Sequence, residues 1–164
     1  MKRMLSKRVL ALMIKGASVV TVAAAISAVA VQAQAANMTD SLVESYAAAM
    51  KAAANSQDIN RVANLVSDDA LISLSRRGKT TSLNKEGYLN LLQSSWNQTS
   101  NYQYDIKITD VVTSGTQAKA NISTVESWVK DGKKVNFVTN SRVTLTVATG
   151  NAVLLRAVSQ VTIN

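Results

Sequence analysis

From Asn101 onward, apolar and polar residues alternate in four successive runs, the period of strands with one buried face. The runs are Asn101–Thr113, Gln117–Val129, Lys133–Thr149 and Ala152–Ile163. Ser114-Gly115, Asp131-Gly132 and Gly150-Asn151 separate them, and each is a hairpin-turn sequence. Alternation sends Tyr102, Tyr104, Ile106 and Ile108 to one face, with Ala118, Ala120, Ile122, Thr124, Glu126 and Trp128. Phe137, Thr139, Ser141, Val143 and Leu145 continue that face, as do Val153, Leu155, Ala157 and Val161. The opposite face takes Lys107, Lys119, Asn121, Asn136, Asn140, Arg142, Thr144, Arg156 and Gln160. These runs exceed the usual five or six residues, so the sheet must bend or bulge.

Upstream the period changes. Leu42, Tyr46, Ala49, Met50 and Ala53 recur at helical spacing, which predicts a helix over 39–55, and Ser41 and Glu44 have capping-box spacing. Asp58 is placed to cap a short helix carrying Ile59, Val62, Ala63 and Leu65. Ser67-Asp68-Asp69 reads as the turn that ends it. Ala70–Ser75 and Thr80–Ser82 then form a hairpin through Arg76-Arg77-Gly78-Lys79. Asn84 caps a third helix, with Tyr88 or Leu89, Leu92 and Trp96 inward and Leu83 stapled to Tyr88. Helices and hairpin together are expected to cover one face of the long strands.

Composition narrows the chemistry. The 164 residues suit one domain, and they contain no cysteine, histidine or proline. Disulfides, thiolate nucleophiles, Ser-His-Asp triads and imidazole metal sites are thereby excluded. No metal or cofactor is expected. The formal charge of +8 is concentrated at the start, where Lys2, Arg3, Lys7, Arg8 and Lys15 precede an apolar run from Gly16 to Val31. Ala33-Gln34-Ala35 supplies small residues for signal-peptidase cleavage before Ala36. The reading is a signal peptide at 1–35 and a domain at 36–164, periplasmic or secreted, without stable membrane insertion after cleavage. The apolar run falls short of the ~20 residues that a spanning helix needs. From Ala36 onward 13 basic and 10 acidic residues leave a net +3, a weak basis for nucleic-acid binding, and no such partner is expected.

Among candidate groups, Glu126 stands out as an acid on the apolar face, with Asp110 near a turn as the other. A carboxylate among aromatics has its protonated form favoured and suits a general base; a position at a wet rim is the competing reading. Trp96, Tyr102, Tyr104, Trp128 and Phe137, with Thr124 and Ser141, are placed to line a site for a small apolar ligand, or simply to fill the core. Arg76, Arg77 and Lys79, and Lys130, Lys133 and Lys134, make two basic hairpin tips, either solvated turns or contacts for anionic lipid. Asp68-Asp69 reads as a turn rather than a calcium site.

The order helix, helix, hairpin, helix, four strands resembles the nuclear transport factor 2-like superfamily, also called SnoaL-like. Asp58-Ile59 followed by Val66-Ser67-Asp68-Asp69-Ala70 is similar to the segment where that family's second helix feeds its first strand. Asn84-Lys85-Glu86-Gly87-Tyr88-Leu89 stands where its third helix begins. The resemblance spans nearly all of 39–164. It implies an α+β fold in which a curved antiparallel sheet wraps the N-terminal helices, a cone-like, cystatin-like roll with a pocket at the open end. It also implies homodimers through the outer sheet face in many relatives, and isomerase, dehydratase or purely binding roles. The isomerases carry a carboxylate early in the first strand, where this chain has Leu71-Ile72-Ser73-Leu74-Ser75, and a helix-one tyrosine where it has Met50, one turn after Tyr46. The dehydratases rely on histidine. The expectation is therefore an exported, non-catalytic module for a small apolar ligand or a protein partner. The alternatives are an isomerase-like enzyme using Glu126 with Tyr104 or Tyr46, and a structural subunit of an envelope assembly.

Overall fold

The computed structural model describes residues 36–163, and the expected leader at 1–35 lies outside the described residues. The elements run α1 (Asp40–Asn55), α2 (Ile59–Ala63), β1 (Val66–Arg76), β2 (Lys79–Leu83), α3 (Lys85–Trp96), β3 (Ser100–Ser114), β4 (Gln117–Lys130), β5 (Lys133–Ala148) and β6 (Asn151–Ile163). Polar side chains start each helix. Thr39 accepts from Leu42 N, Asp58 from Asn60 N and Arg61 N, and Asn84 from Gly87 N. The first cap is thus Thr39, two residues before the Ser41 of the expected capping box, because its hydroxyl already reaches the third helical N–H.

All six strands form one curved sheet in the order β2-β1-β6-β5-β4-β3. Four of the five pairings are antiparallel, and β1 runs parallel to β6. The four long strands pair antiparallel, as expected. One expectation is corrected: the β1–β2 hairpin extends the sheet instead of lying across its face, joining it through the parallel β1–β6 pair. The reason is the open edge of β6, whose unpaired backbone groups need a partner, and β1 supplies it. Ser67-Asp68-Asp69 is likewise strand rather than turn. The register slips between Val66 and Leu71 absorb the two acids, and Asp68 meets Lys85 Nζ at 2.8 Å.

The long strands bulge, as their length demands. β3 slips at Ser100/Gln103 and at Thr109/Val112, where Asn101 and Asp110 adopt positive φ of 54° and 55°. Asp110 is held there by Asn121 Nδ2, 2.7 Å from its carboxylate. A third slip, at Thr144/Leu145, corrects the face assignment along β6: Leu154, not Leu155, stands opposite Leu145. Leu145 is fully buried and Leu154 is 5% exposed.

Successive inner rows therefore read Ile72–Ala157–Val143–Ala120, then Leu74–Ser159–Ser141–Ile122–Ile108, then Arg76–Val161–Thr139–Thr124–Ile106, then Ile163–Phe137–Glu126–Tyr104. Against them pack Val43, Tyr46, Met50, Ala53, Val62 and Trp96 from the helices. The two ends of this interior differ. At one end Ala118, Leu145, Ala152 and Leu154 are buried, and Met38 N donates to Gly115 O. At the other the inner rows continue through half-buried Trp128 and Phe137 to exposed hairpin residues, so this end is open.

Candidate ligand-binding site

Near the open end, alternation along β4 places Glu126 and Trp128 on the inner face, and β5 brings Phe137 opposite Glu126. Alternation along β3 puts Tyr102 on the same face, and its hydroxyl donates to Glu126 Oε2 at 2.8 Å. Aromatic rings wall the bond. Tyr102 meets Trp96 edge-on at 6.0 Å and stacks on Trp128 at 6.4 Å, while Trp128 meets Phe137 edge-on at 4.6 Å. Arg76 closes one side, its Cζ 5.0 Å from the Phe137 ring centroid.

Desolvation raises the Glu126 pKa above its ordinary 4.5, and the Tyr102 hydroxyl partly opposes this by stabilising the carboxylate. The phenols respond to the same environment. Burial lifts Tyr46, Tyr88, Tyr102 and Tyr104 well above 10.0, and the last three feel Glu126 besides. These four are all the tyrosines in the chain; three of them feel the one carboxylate, and Tyr46 joins them through Tyr88 and Tyr104. Trp96 is buried, and its indole N–H faces the Tyr102 hydroxyl, where it favours the ionised phenol, although the two do not reach full hydrogen-bond geometry.

Most of the expected site is brought together. Trp96, Tyr102, Glu126, Trp128 and Phe137 form one cluster, and Tyr104 is the cross-strand neighbour of Glu126. Thr124 is buried one inner row further in. Ser141 lies two rows from Phe137, about 13 Å along β5 at the usual rise per residue, and hydrogen-bonds Ser159 at 2.8 Å. Tyr46 reaches the group of phenols from α1.

Two residues of the site carried no chemical signal in the sequence. Tyr88 reads there only as part of an inward helical stripe, although it couples electrostatically to Glu126. Asn55 reads there only as the last residue of the predicted first helix. Its side chain accepts from Tyr104 N and donates to Tyr104 O, both at 2.8 Å, which fixes that part of β3 to the end of α1. Β3 is an edge strand, and Asn55 gives its backbone the partner that a neighbouring strand would.

A concavity of about 680 Å³ lies on the outer sheet face among Ser75, Lys107, Asn121, Asn140, Arg142 and Gln160. No aromatic or carboxylate side chain lines it, so the inner cluster is where the chemistry-bearing groups are.

No sequence-family model matches the chain, and no curated protein matches it. Solved structures do. A conserved protein from Planctomyces limnophilus superposes with a TM-score of 0.67 at 13% identity, covering 75% of this chain and 95% of its own. A ketosteroid isomerase-like protein from Erwinia carotovora atroseptica gives 0.59 at 21%, covering 74% and 94%. An NTF-2 like protein of unknown function from Silicibacter pomeroyi gives 0.55 at 12%, covering 76% and 100%. The chain thus has the nuclear transport factor 2-like fold: an α+β cone with a six-stranded, unclosed curved sheet. That fold supports many activities, so function must be argued from the cluster itself.

Proposed function

We propose that the open end of the cone binds a small, largely apolar ligand between Trp96, Tyr102, Trp128 and Phe137, in an exported, non-catalytic role. The observation that carries this is the Tyr102–Glu126 hydrogen bond inside a wall of aromatic rings. Apolar walls with few convergent polar groups are the usual make-up of a small-molecule site. The chain's two tryptophans both belong to it, so fluorescence reports the site alone. Titration with the neutral probe N-phenyl-1-naphthylamine should give energy transfer from tryptophan and saturable binding, lost in Trp128→Ala. A linear, unsaturable response unchanged by that substitution overturns the reading.

A second reading has its own support. A carboxylate with a raised pKa against apolar walls is suited to take a proton from carbon and return it to the neighbouring carbon. Nothing in β1 competes for the role, since the inward Ile72 and Leu74 are apolar. Solvent deuterium exchange into 2-tetralone, followed by mass spectrometry, separates the readings. Exchange above the buffer rate that Glu126→Gln abolishes favours the enzyme; equal exchange in both proteins favours the binder. The outer face, with Lys107, Asn140, Arg142 and exposed Val158, is the surface on which we place pairing with a second copy.

A further inference from the structure

Four cations stand at the open end on the same inner-face rows as the aromatic cluster. Along the β4–β5 ladder the inner row passes from Glu126/Phe137 to Trp128/Val135 and then to Lys130/Lys133. Strand alternation therefore puts both lysines directly beyond Trp128 on the inner side. Across the sheet, Arg76 and Lys79 are partners at the β1–β2 turn, and Arg76 leans over Phe137. Both hairpins thus end on like charges set directly opposite each other, which costs stability in a sheet. Among the described residues the ion pairs are Lys51–Asp105 and Lys85–Asp68, so none of these four cations is neutralised. The acids at this end are Glu126, which lies deeper, and Asp131 in the turn. A local rule broken twice at one rim, around one aromatic cluster, is what a ligand site leaves in a fold.

We propose that Arg76, Lys79, Lys130 and Lys133 receive the anionic head of an amphiphile, a carboxylate or phosphate ester, whose apolar tail enters the aromatic cluster. This deepens the ligand-binding reading and rests on it. The head stays at the rim because Glu126 disfavours negative charge further in, and the tail meets Trp128, Phe137 and Tyr102. Arg77 and Lys134 carry the same charge nearby, but Arg77 sits in the turn and Lys134 pairs with Val129 on the outward row.

The test titrates the full protein with dodecyl phosphate and with 1-dodecanol, read by tryptophan fluorescence, beside N-phenyl-1-naphthylamine. Dodecyl phosphate should bind roughly tenfold tighter than the alcohol, a preference that added salt weakens. The pair Lys130→Gln/Lys133→Gln should erase most of it and leave naphthylamine binding intact. Arg77→Gln/Lys134→Gln, which removes equal charge, should keep it. Equal affinity for phosphate and alcohol, or equal loss in the two double variants, overturns the head-group proposal while naphthylamine binding still upholds the pocket. If no probe binds, both fail together. Sedimentation with vesicles of phosphatidylglycerol and phosphatidylcholine, but not of phosphatidylcholine alone, assigns the head to a bilayer lipid. Dodecyl phosphate binding without vesicle binding assigns it to a free amphiphile.

Discussion

At the scale of single residues, Glu126 joins stability to chemistry. Its pKa is raised in the folded protein, so folding favours the protonated form. The stability it contributes is complete below the ordinary value of 4.5 and is lost as pH rises through the folded pKa. Glu126→Gln keeps an acceptor for Tyr102 and removes the charge, so it should be free of that loss. The melting-temperature difference between variant and wild type should grow in the variant's favour from below pH 4.5 toward neutrality. A difference that stays constant with pH contradicts this environment for Glu126. Asn55 is the other residue with a single identifiable task. Asn55→Ala leaves Tyr104 N–H and C=O without their side-chain partner, and urea unfolding should show a loss of about 1–3 kcal/mol. A loss within error means that the edge of β3 finds water as good a partner.

At the scale of elements, the helices and hairpins were legible because each rests on local chemistry: Asp58 and Asn84 as caps, and Asp131-Gly132 in the β4–β5 turn. The bulges were legible only as a necessity, not in position. Nothing near Leu154 announces that the register slips there, because Val153, Leu154 and Leu155 are all apolar and alternation has no contrast to read. Truncation decides the register. Leu154→Ala should cost about 2–5 kcal/mol, as a buried leucine does, and Leu155→Ala clearly less. The reverse order in denaturant melts would restore the unshifted strand. Asp68-Asp69 misled for a related reason. Two adjacent acids look like a turn, but a strand that bulges can face both to solvent, with Lys85 beside one of them.

At the scale of the whole molecule, the parallel pairing of β1 with β6 could not be read from the sequence, because it joins segments that are more than 70 residues apart and depends on which edge the sheet leaves open. The clustering of Trp96, Tyr102, Glu126, Trp128 and Phe137 was legible, since strand alternation alone aligns four of the five. The approach of Tyr88 to Glu126 and of Tyr46 to Tyr104 was not, because it needs α1 and α3 folded over the sheet. Nor was the shared position of the two basic hairpins at one end, which follows only from strand order and direction. The proposed binding mode places the ligand in this interior and not in the outer groove. The most direct measurement is the ¹H–¹⁵N spectrum of the two indole N–H groups, assigned with Trp96→Phe, during titration with N-phenyl-1-naphthylamine. With the ligand in the interior, both indole signals should move in step with saturation while the Asn140 and Gln160 side-chain amides stay in place. Indole signals that stay fixed while those outer-face amides move would contradict it.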